Sequence, residues 1–366
     1  YVVHRTQAVQ SLTVNTDDIV DGAVTADKIA DGAVTDPTPA AVSGQANTAT
    51  DFFALPSGTT AQRPGSPAVG YLRNNTDDGV VEVYDGVSWI AVGVQTLPVE
   101  ATGGTTNTYT VSGVGYKSHT FTSSGDFVVT TGGFVDVLLI AGGGAGGNWH
   151  AGGGGAGGLI ISEGFEASAG TYSIVVGGGG TGGTSSLGNN GTDTTGFSLT
   201  AIGGGRGGNY TTTGPASGGS GGGGNGTTAS GLFEGASGTS GQGNTGGDGG
   251  FNHAGGGGGG AGAVGQNAAD ASNAGDGGIG LINTYKDGTD IYYAGGGGGG
   301  VWSGNHGVGG TGGGGNGSYN GNSSPPTPGG VNTGGGGGGA GSQGNVTSYA
   351  AQTTGGSGIV IIRYAI

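Results

Sequence analysis

Three runs of six glycines, Gly255–Gly260, Gly295–Gly300 and Gly334–Gly339, constrain this chain more than any other feature. Glycine brings no side-chain chemistry and loses more freedom on folding than any other residue. Such a run orders only where neighbours take up its backbone N–H and C=O groups. An extended helix of the polyproline II type has three residues per turn, rises about 3.1 Å per residue and makes no internal hydrogen bonds, so six residues span roughly 19 Å with every backbone group open to lateral partners. The missing Cβ atoms let other backbones approach from all sides. The runs differ in length, no Gly-X-Y period continues through them, and there are only 10 prolines, so a collagen triple helix does not fit. The pattern predicts a bundle of polyglycine II helices, bonded laterally, with loops displayed at its ends.

Glycine supplies 102 of 366 residues, 16 of them before Gly142 and 86 from there on, which marks a sharp compositional boundary. So much glycine without a period is the usual mark of disorder, but strong strand signals interrupt it. With 8 basic against 23 acidic residues the net charge is −15, which argues against nucleic-acid or anionic-membrane partners bound by charge. Cysteine is absent, which removes disulfides and thiolate metal sites. Apolar runs such as Phe134–Ala141 fall far short of the roughly 18 residues of a membrane span. A soluble, extracellular chain without membrane insertion is expected.

Three regions follow. Residues 1–50 carry a ten-residue repeat, Ile19–Lys28 followed by Ile29–Thr38, that keeps Ile, Asp-Gly, Ala-Val and Thr in register; copies this small bury their apolar residues by associating into a shared shaft. Residues 51–98 read as a small β module with strands at Tyr71–Arg73, Val80–Tyr84 and Trp89–Val92, turns at Gly79 and Gly86 that need positive φ, and Trp89 as its core anchor. Residues 99–366 hold longer strands, including Phe134–Ala141, Gly158–Phe165, Thr171–Val176, Phe197–Ile202 and Asp290–Ala294. The apolar end, Gly358–Ile366, is expected to pair back with Phe134–Ala141, which makes the glycine runs insertions from a β-sandwich. Helical signals are weak and confined to Ala268–Ala274. The expected class is all-β: a trimeric fibre shaft, a small β module, and a glycine-rich β-sandwich with a polyglycine II helix bundle.

Recognition is expected from residues between the runs, where Tyr, Trp, Asn and Ser form the alphabet of adaptable binding loops. The candidates are Trp149, His150, Tyr210, Phe251, His253, Trp302, His306 and Tyr319. His150, His253 and His306 each precede a glycine run, yet the five histidines of the chain lack metal-ligand spacing. Asp248, Asp276 and the stretch Asp287–Asp290 read as turns, since none continues into an EF-hand loop. Gly-x-Gly-x-x-Gly matches abound by chance, with no Gly-Lys-Ser/Thr phosphate loop to support them. No Gly-x-Ser-x-Gly elbow sits between a strand and a helix. Nine dispersed carboxylates between Gly142 and Gly358 offer little for a glycosidase pair. The expectation is a binding protein with no enzymatic activity, cofactor or metal.

The stretch Thr60–Val92, with Ala-Gln-Arg-Pro at 61–64, Arg73-x-Asn75-Thr76 and Glu82-x-Tyr84-Asp85-Gly86-x-x-Trp89, resembles a segment of phage tail-fibre and virion structural proteins. Phe121–Gly147, Gly170–Gly180 and the ending Gly355–Ile366 resemble the glycine-rich domain at the C-terminus of tail fibres. The resemblance implies a homotrimer in the virion tail, joined to other tail proteins through its N-terminus and engaging a host-surface glycan or outer-membrane protein at its distal domain. Alternatives are a subunit of a bacterial extracellular fibre or adhesin, and an ice-binding protein.

Overall fold

The computed structural model describes residues 55–92, 98–182, 187–210, 214–227, 233–250, 253–319, 325–341 and 353–366. The ten-residue repeat, the expected shaft and Phe251 lie outside the described residues. The chain divides into two compact units, Tyr1–Gly93 and Val94–Ile366. It is all-β: among the described residues one 3₁₀ turn, Thr60–Gln62, accompanies the strands and no α-helix occurs.

In the first unit, β1 (Ser57–Gly58), β2 (Leu72–Asn75), β3 (Val80–Tyr84) and β4 (Trp89–Ala91) form one sheet in chain order. Gly79 (φ 66°) and Gly86 (φ 105°) make the tight turns their position demands. The interior departs from the apolar core anticipated around Trp89, which is only half-buried. The buried residues are Arg73, Asn75 and Glu82, all polar. Cross-strand register places Arg73 opposite Glu82. Arg63 Nε donates to Glu82 Oε1 at 3.1 Å, and Asn75 Nδ2 donates to Thr60 Oγ1 at 2.9 Å and to Asp78 Oδ2 at 2.7 Å. The hydrogen bond from Arg63 holds the Glu82 carboxyl below its ordinary value.

In the second unit, β6 (Thr105–Val111), β7 (Val114–Phe121), β9 (Gly133–Ile140), β10 (Leu159–Ala167) and β16 (Ile359–Ala365) form a sheet ordered β10-β9-β16-β7-β6; β5 (Glu100–Thr102), β8 (Gly125–Thr131) and β11 (Gly170–Ile174) form a second, ordered β11-β8-β5. The terminal strand pairs antiparallel with β9 as expected, Ile359 opposite Ile140 and Ile361 opposite Leu138, and with β7 on its other side. Both faces of β9 and β16 are covered, which explains their uninterrupted apolar sequence. Val135, Val137, Leu139, Val360 and Ile362 pack with Phe127, Val129 and Phe197 on one side. Leu138, Ile140, Ile359 and Ile361 pack with Ala156, Tyr285 and Tyr293 on the other. Two short hairpins complete the elements, β12 (Thr194–Gly196) with β13 (Leu199–Ala201), and β14 (Leu281–Asn283) with β15 (Ile291–Tyr293).

The glycine segments leave this sandwich and run beside one another as a lattice. Segment 151–158 shows the rule. Gly152, Gly155 and Gly158 donate to the carbonyls of Gly208, Gly205 and Ile202 at 3.1, 2.8 and 2.8 Å; Gly153 and Ala156 donate to Gly256 and Gly259 at 3.0 and 2.9 Å; Gly154 and Gly157 donate to Gly337 and Gly334, both at 2.8 Å. Every third residue faces the same neighbour, which is the period of polyglycine II. Its carbonyls accept from three further segments: Gly152 and Gly155 from Gly147 and Gly144, Gly153 and Ala156 from Gly223 and Ser220, Ala151 and Gly154 from Gly300 and Gly297. Six segments therefore surround this one, and main-chain hydrogen bonds take the place of an apolar core. The weak helical signal at 268–274 resolves into a turn instead, closed by a bridge between Asp270 and Asn273.

A Cβ added at Gly297 would collide with the carbonyl of Gly337, whereas one added at Gly178 would meet only Thr192 Oγ1, at 3.9 Å. Backbone cannot yield as a flexible side chain can. Gly297→Ala is expected to destabilise the second unit by about 3 kcal/mol, and Gly178→Ala to change it by no more than about 0.5 kcal/mol, in chemical denaturation followed by circular dichroism. In the first unit, a depressed Glu82 contributes stability above its unfolded value that is lost as pH falls through its folded one. Thermal melts should show the module weakening on the acid side of the ordinary carboxylate range, with Glu82→Gln less stable at neutral pH and less sensitive to acid.

Candidate functional site

Glycine segments reverse direction at the end of the bundle opposite the sandwich, and four of these turns bring large rings together. Segments 141–147 and 151–158 are antiparallel, joined by Asn148-Trp149-His150, with the Gly147 N–H donating to the Gly152 carbonyl at 3.0 Å. Trp149 (φ 66°) and His150 (φ 50°) both adopt the left-handed conformation. His253 (φ 79°) does the same at the start of the run that follows it. Non-glycine residues pay roughly 1–2 kcal/mol each for this conformation. Val301 bridges both Ala254 and Tyr319, which carries Trp302 alongside His253; the Trp302 N–H donates to the His253 carbonyl at 3.1 Å. The His150 carbonyl accepts from Gly226 at 2.8 Å.

Five rings meet there. Trp149 and Tyr210 lie 4.4 Å apart between centroids, His150 and His253 4.1 Å, His150 and Tyr210 5.2 Å in an edge-on contact, and His150 and Trp302 5.2 Å. His150 is the centre of the cluster and only 1% exposed, while Trp302 at its rim is 47% exposed. Contacts of this kind contribute about 0.5–1.5 kcal/mol per pair beyond area burial, enough to offset the turn strain. Burial, and secondarily the neighbouring His253, pushes the His150 imidazole down to about 3; burial also lowers His253. Both rings are thus neutral at physiological pH. Trp149 Nε1, His150 Nδ1 and His253 Nδ1 are buried with no hydrogen-bond partner. The cluster offers ring faces and ring nitrogens, the chemistry of contact and hydrogen bonding.

Five of the eight residues expected to carry recognition therefore converge: Trp149, His150, Tyr210, His253 and Trp302. Tyr319 reaches the site through its backbone bridge to Val301, its half-buried ring making no ring contact with the five among the described residues. His306 stands apart, with Nδ1 3.1 Å from the Gly307 carbonyl, because the preceding Asn305 is drawn to the 270–273 turn by hydrogen bonds to Ser272 O (2.7 Å) and Asn273 Oδ1 (2.8 Å). Asn225 was not singled out, yet it lies fully buried beside Gly208 and Gly226 with its Oδ1 unpartnered. As one polar residue within a glycine run, it carried no distinguishing signal. Of the acidic stretches expected as turns, Asp287–Asp290 lies in one, with Asp287 Oδ1 accepting from the Thr289 N–H at 3.0 Å. Asp248 and Asp276 instead lie within lattice segments, where their side chains accept from neighbouring segments, Asp276 Oδ1 from Val308 at 2.7 Å and Asp248 Oδ1 from Gly235 at 2.9 Å. No group of three His, Cys, Asp or Glu side chains poised for a metal occurs among the described residues.

The family model described as a glycine-rich domain matches residues 122–365, which covers β8 to β16, the lattice and the ring cluster. The chain belongs to the glycine-rich domain family. No curated protein matches it. The match begins just after β7, ahead of β8, and closes with β16. The family thus spans both the apolar framework and the bundle it supports.

Protonation of His150 carries a defined sign. Its folded value lies below the unfolded value of about 6.5, so the stability it supports is complete above that pH and falls as pH drops toward about 3. Nuclear magnetic resonance titration should find the His150 ring neutral at pH 5. Denaturant unfolding should show wild type losing more stability than His150→Phe between pH 7 and pH 4.

Proposed function

We propose that this chain is a phage tail-fibre protein whose glycine-rich domain attaches the virion to its bacterial host. In this reading the N-terminal region joins the virion tail and the chain assembles as an extracellular homotrimer. The far end of the bundle meets a host-surface glycan or outer-membrane protein without covalent chemistry. The observation that carries the reading is the convergence of Trp149, His150, Tyr210, His253 and Trp302 at the end of the bundle opposite the sandwich. Strained backbone of the kind found at Trp149, His150 and His253 concentrates at ligand sites. Rigid rings supply contact area at low entropic cost, and Trp302 presents its ring at the exposed rim. The segment Thr60–Val92 adds its resemblance to virion structural proteins. The bundle itself offers mostly backbone, so selectivity falls to the turns.

The test is adsorption of particles carrying alanine at Trp302, the most exposed of the five, and at Trp149 with Tyr210. Trp302→Ala is expected to slow adsorption at least about tenfold, as loss of an aromatic anchor does in other interfaces, while the domain still folds and loses only the roughly 1–3 kcal/mol that its ring contacts with His150 and His253 supply. Unaltered adsorption in both variants would remove the ring cluster from the attachment surface.

A further inference from the structure

The β module holds a second site, separate from the ring cluster and independent of the host-attachment reading. Beside its polar interior opens a cavity of about 690 Å³ whose walls include Pro56, Pro64, Tyr71, Leu72, Trp89 and Arg73. Its volume falls in the range of small-molecule pockets, about 300–1,000 Å³. The Arg73 side chain is 6% exposed, and its guanidinium is incompletely satisfied. Nη2 donates to the Thr59 carbonyl at 2.9 Å, Nε sits 3.5 Å from Glu82 Oε1, and Nη1 is buried with no partner. The guanidinium carbon lies 6.0 Å from the centre of the Trp89 ring.

Two guanidiniums share one buried carboxylate in the same place. Glu82, the one carboxylate buried among the described residues, takes both Arg63 and Arg73, while the other acids acting on Arg63 are Asp77 and the largely exposed Asp78 at 3.8 Å. A buried donor on a charged group is costly to leave unmade. The module also lacks any buried apolar residue among those described, and so small a unit cannot exclude much apolar surface by itself. One occupant answers both deficits: an apolar body against Pro56, Pro64, Tyr71, Leu72 and Trp89, and one negative charge accepting from Arg73 Nη1. A single unpartnered guanidinium donor matches a monoanion, and the apolar walls disfavour a dianion such as phosphate.

We propose that this cavity binds a small amphiphilic carboxylate, a medium-chain fatty acid being the simplest form, as the missing core of the module. Calorimetric titration of the full chain with octanoate and with octan-1-ol tests it. Octanoate is expected to bind at one site per chain, with octan-1-ol about ten- to a hundredfold weaker through loss of the charged hydrogen bond. Leu72→Glu, at a rim position that is 44% exposed and so compatible with folding, puts a tethered carboxylate in the cavity and should abolish octanoate binding. Octanoate should also raise the melting temperature of the wild-type module and not that of Leu72→Glu. Equal affinity for octan-1-ol, unchanged octanoate binding by Leu72→Glu, or no octanoate binding at all would each overturn the assignment, the last including the case in which a neighbouring copy of the chain fills the cavity.

Discussion

Everything in the glycine-rich domain depends on one replacement: where another protein would place a Cβ, this one places a carbonyl oxygen. At Gly153, Gly154, Gly257 and Gly296 the nearest atoms to a hypothetical methyl are backbone oxygens of adjacent segments. The interior is held by directional hydrogen bonds instead of apolar burial, and a bond net favourable by only about 1 kcal/mol becomes a framework by repetition. Such a lattice cannot choose its own register, since one glycine is like the next. The sandwich supplies it. Strands β9, β10 and β16 pass without a break into lattice segments at Ile140–Ala141, Gly158–Leu159 and Gly358–Ile359, and the ladder continues through the junction as Ala141 donates to Gly158 at 3.0 Å.

The same packing sorts the side chains. A ring cannot enter the lattice, so rings gather where segments reverse, and the tightest reversals force left-handed backbone on residues that resist it. Trp149, His150 and His253 accept that strain within a mutually packed group. At the opposite end, the β14–β15 hairpin is fixed to the sandwich in a different manner: Arg363 lies 3.9 Å from the centre of the Tyr285 ring and 4.7 Å from that of Tyr116, while its Nε donates to Asp136 at 3.0 Å. Apolar, cationic and aromatic contacts thus hold the base, and aromatic contacts alone dominate the far turns.

Much of this framework was legible in the sequence, for reasons that differ by element. Val80–Tyr84 could be read to the residue because Asp-Gly turns bracket it, and the pairing of β16 with β9 followed from two apolar strands that each needed cover on both faces. The lateral bonding of glycine runs followed from their unsatisfied backbone. Other features depended on distance in space. Nothing local marks Arg73 and Glu82 as an interior, since a charged pair in a strand usually reads as a solvated face. The five converging rings come from four separate turns, and the difference between His253 and His306, both written Asn-His before a glycine run, is set by where the 270–273 turn sits. Ala268–Ala274 has helix-forming residues, but neighbouring lattice segments claim its backbone groups.

The position of β16 has a consequence for synthesis. This strand, residues 359–365, lies in the middle of its sheet between β9 and β7, and both of those partners leave the ribosome more than two hundred residues earlier. Neither apolar cluster is complete until translation has passed Ile361, and one needs Tyr364, so the polyglycine segments emerge before the template that registers them exists. Long-range pairing of this kind folds slowly. It also acts as a quality check: a chain cut short anywhere in the bundle lacks the central strand, exposes β9, and is a natural substrate for proteases before it can take a place in any assembly.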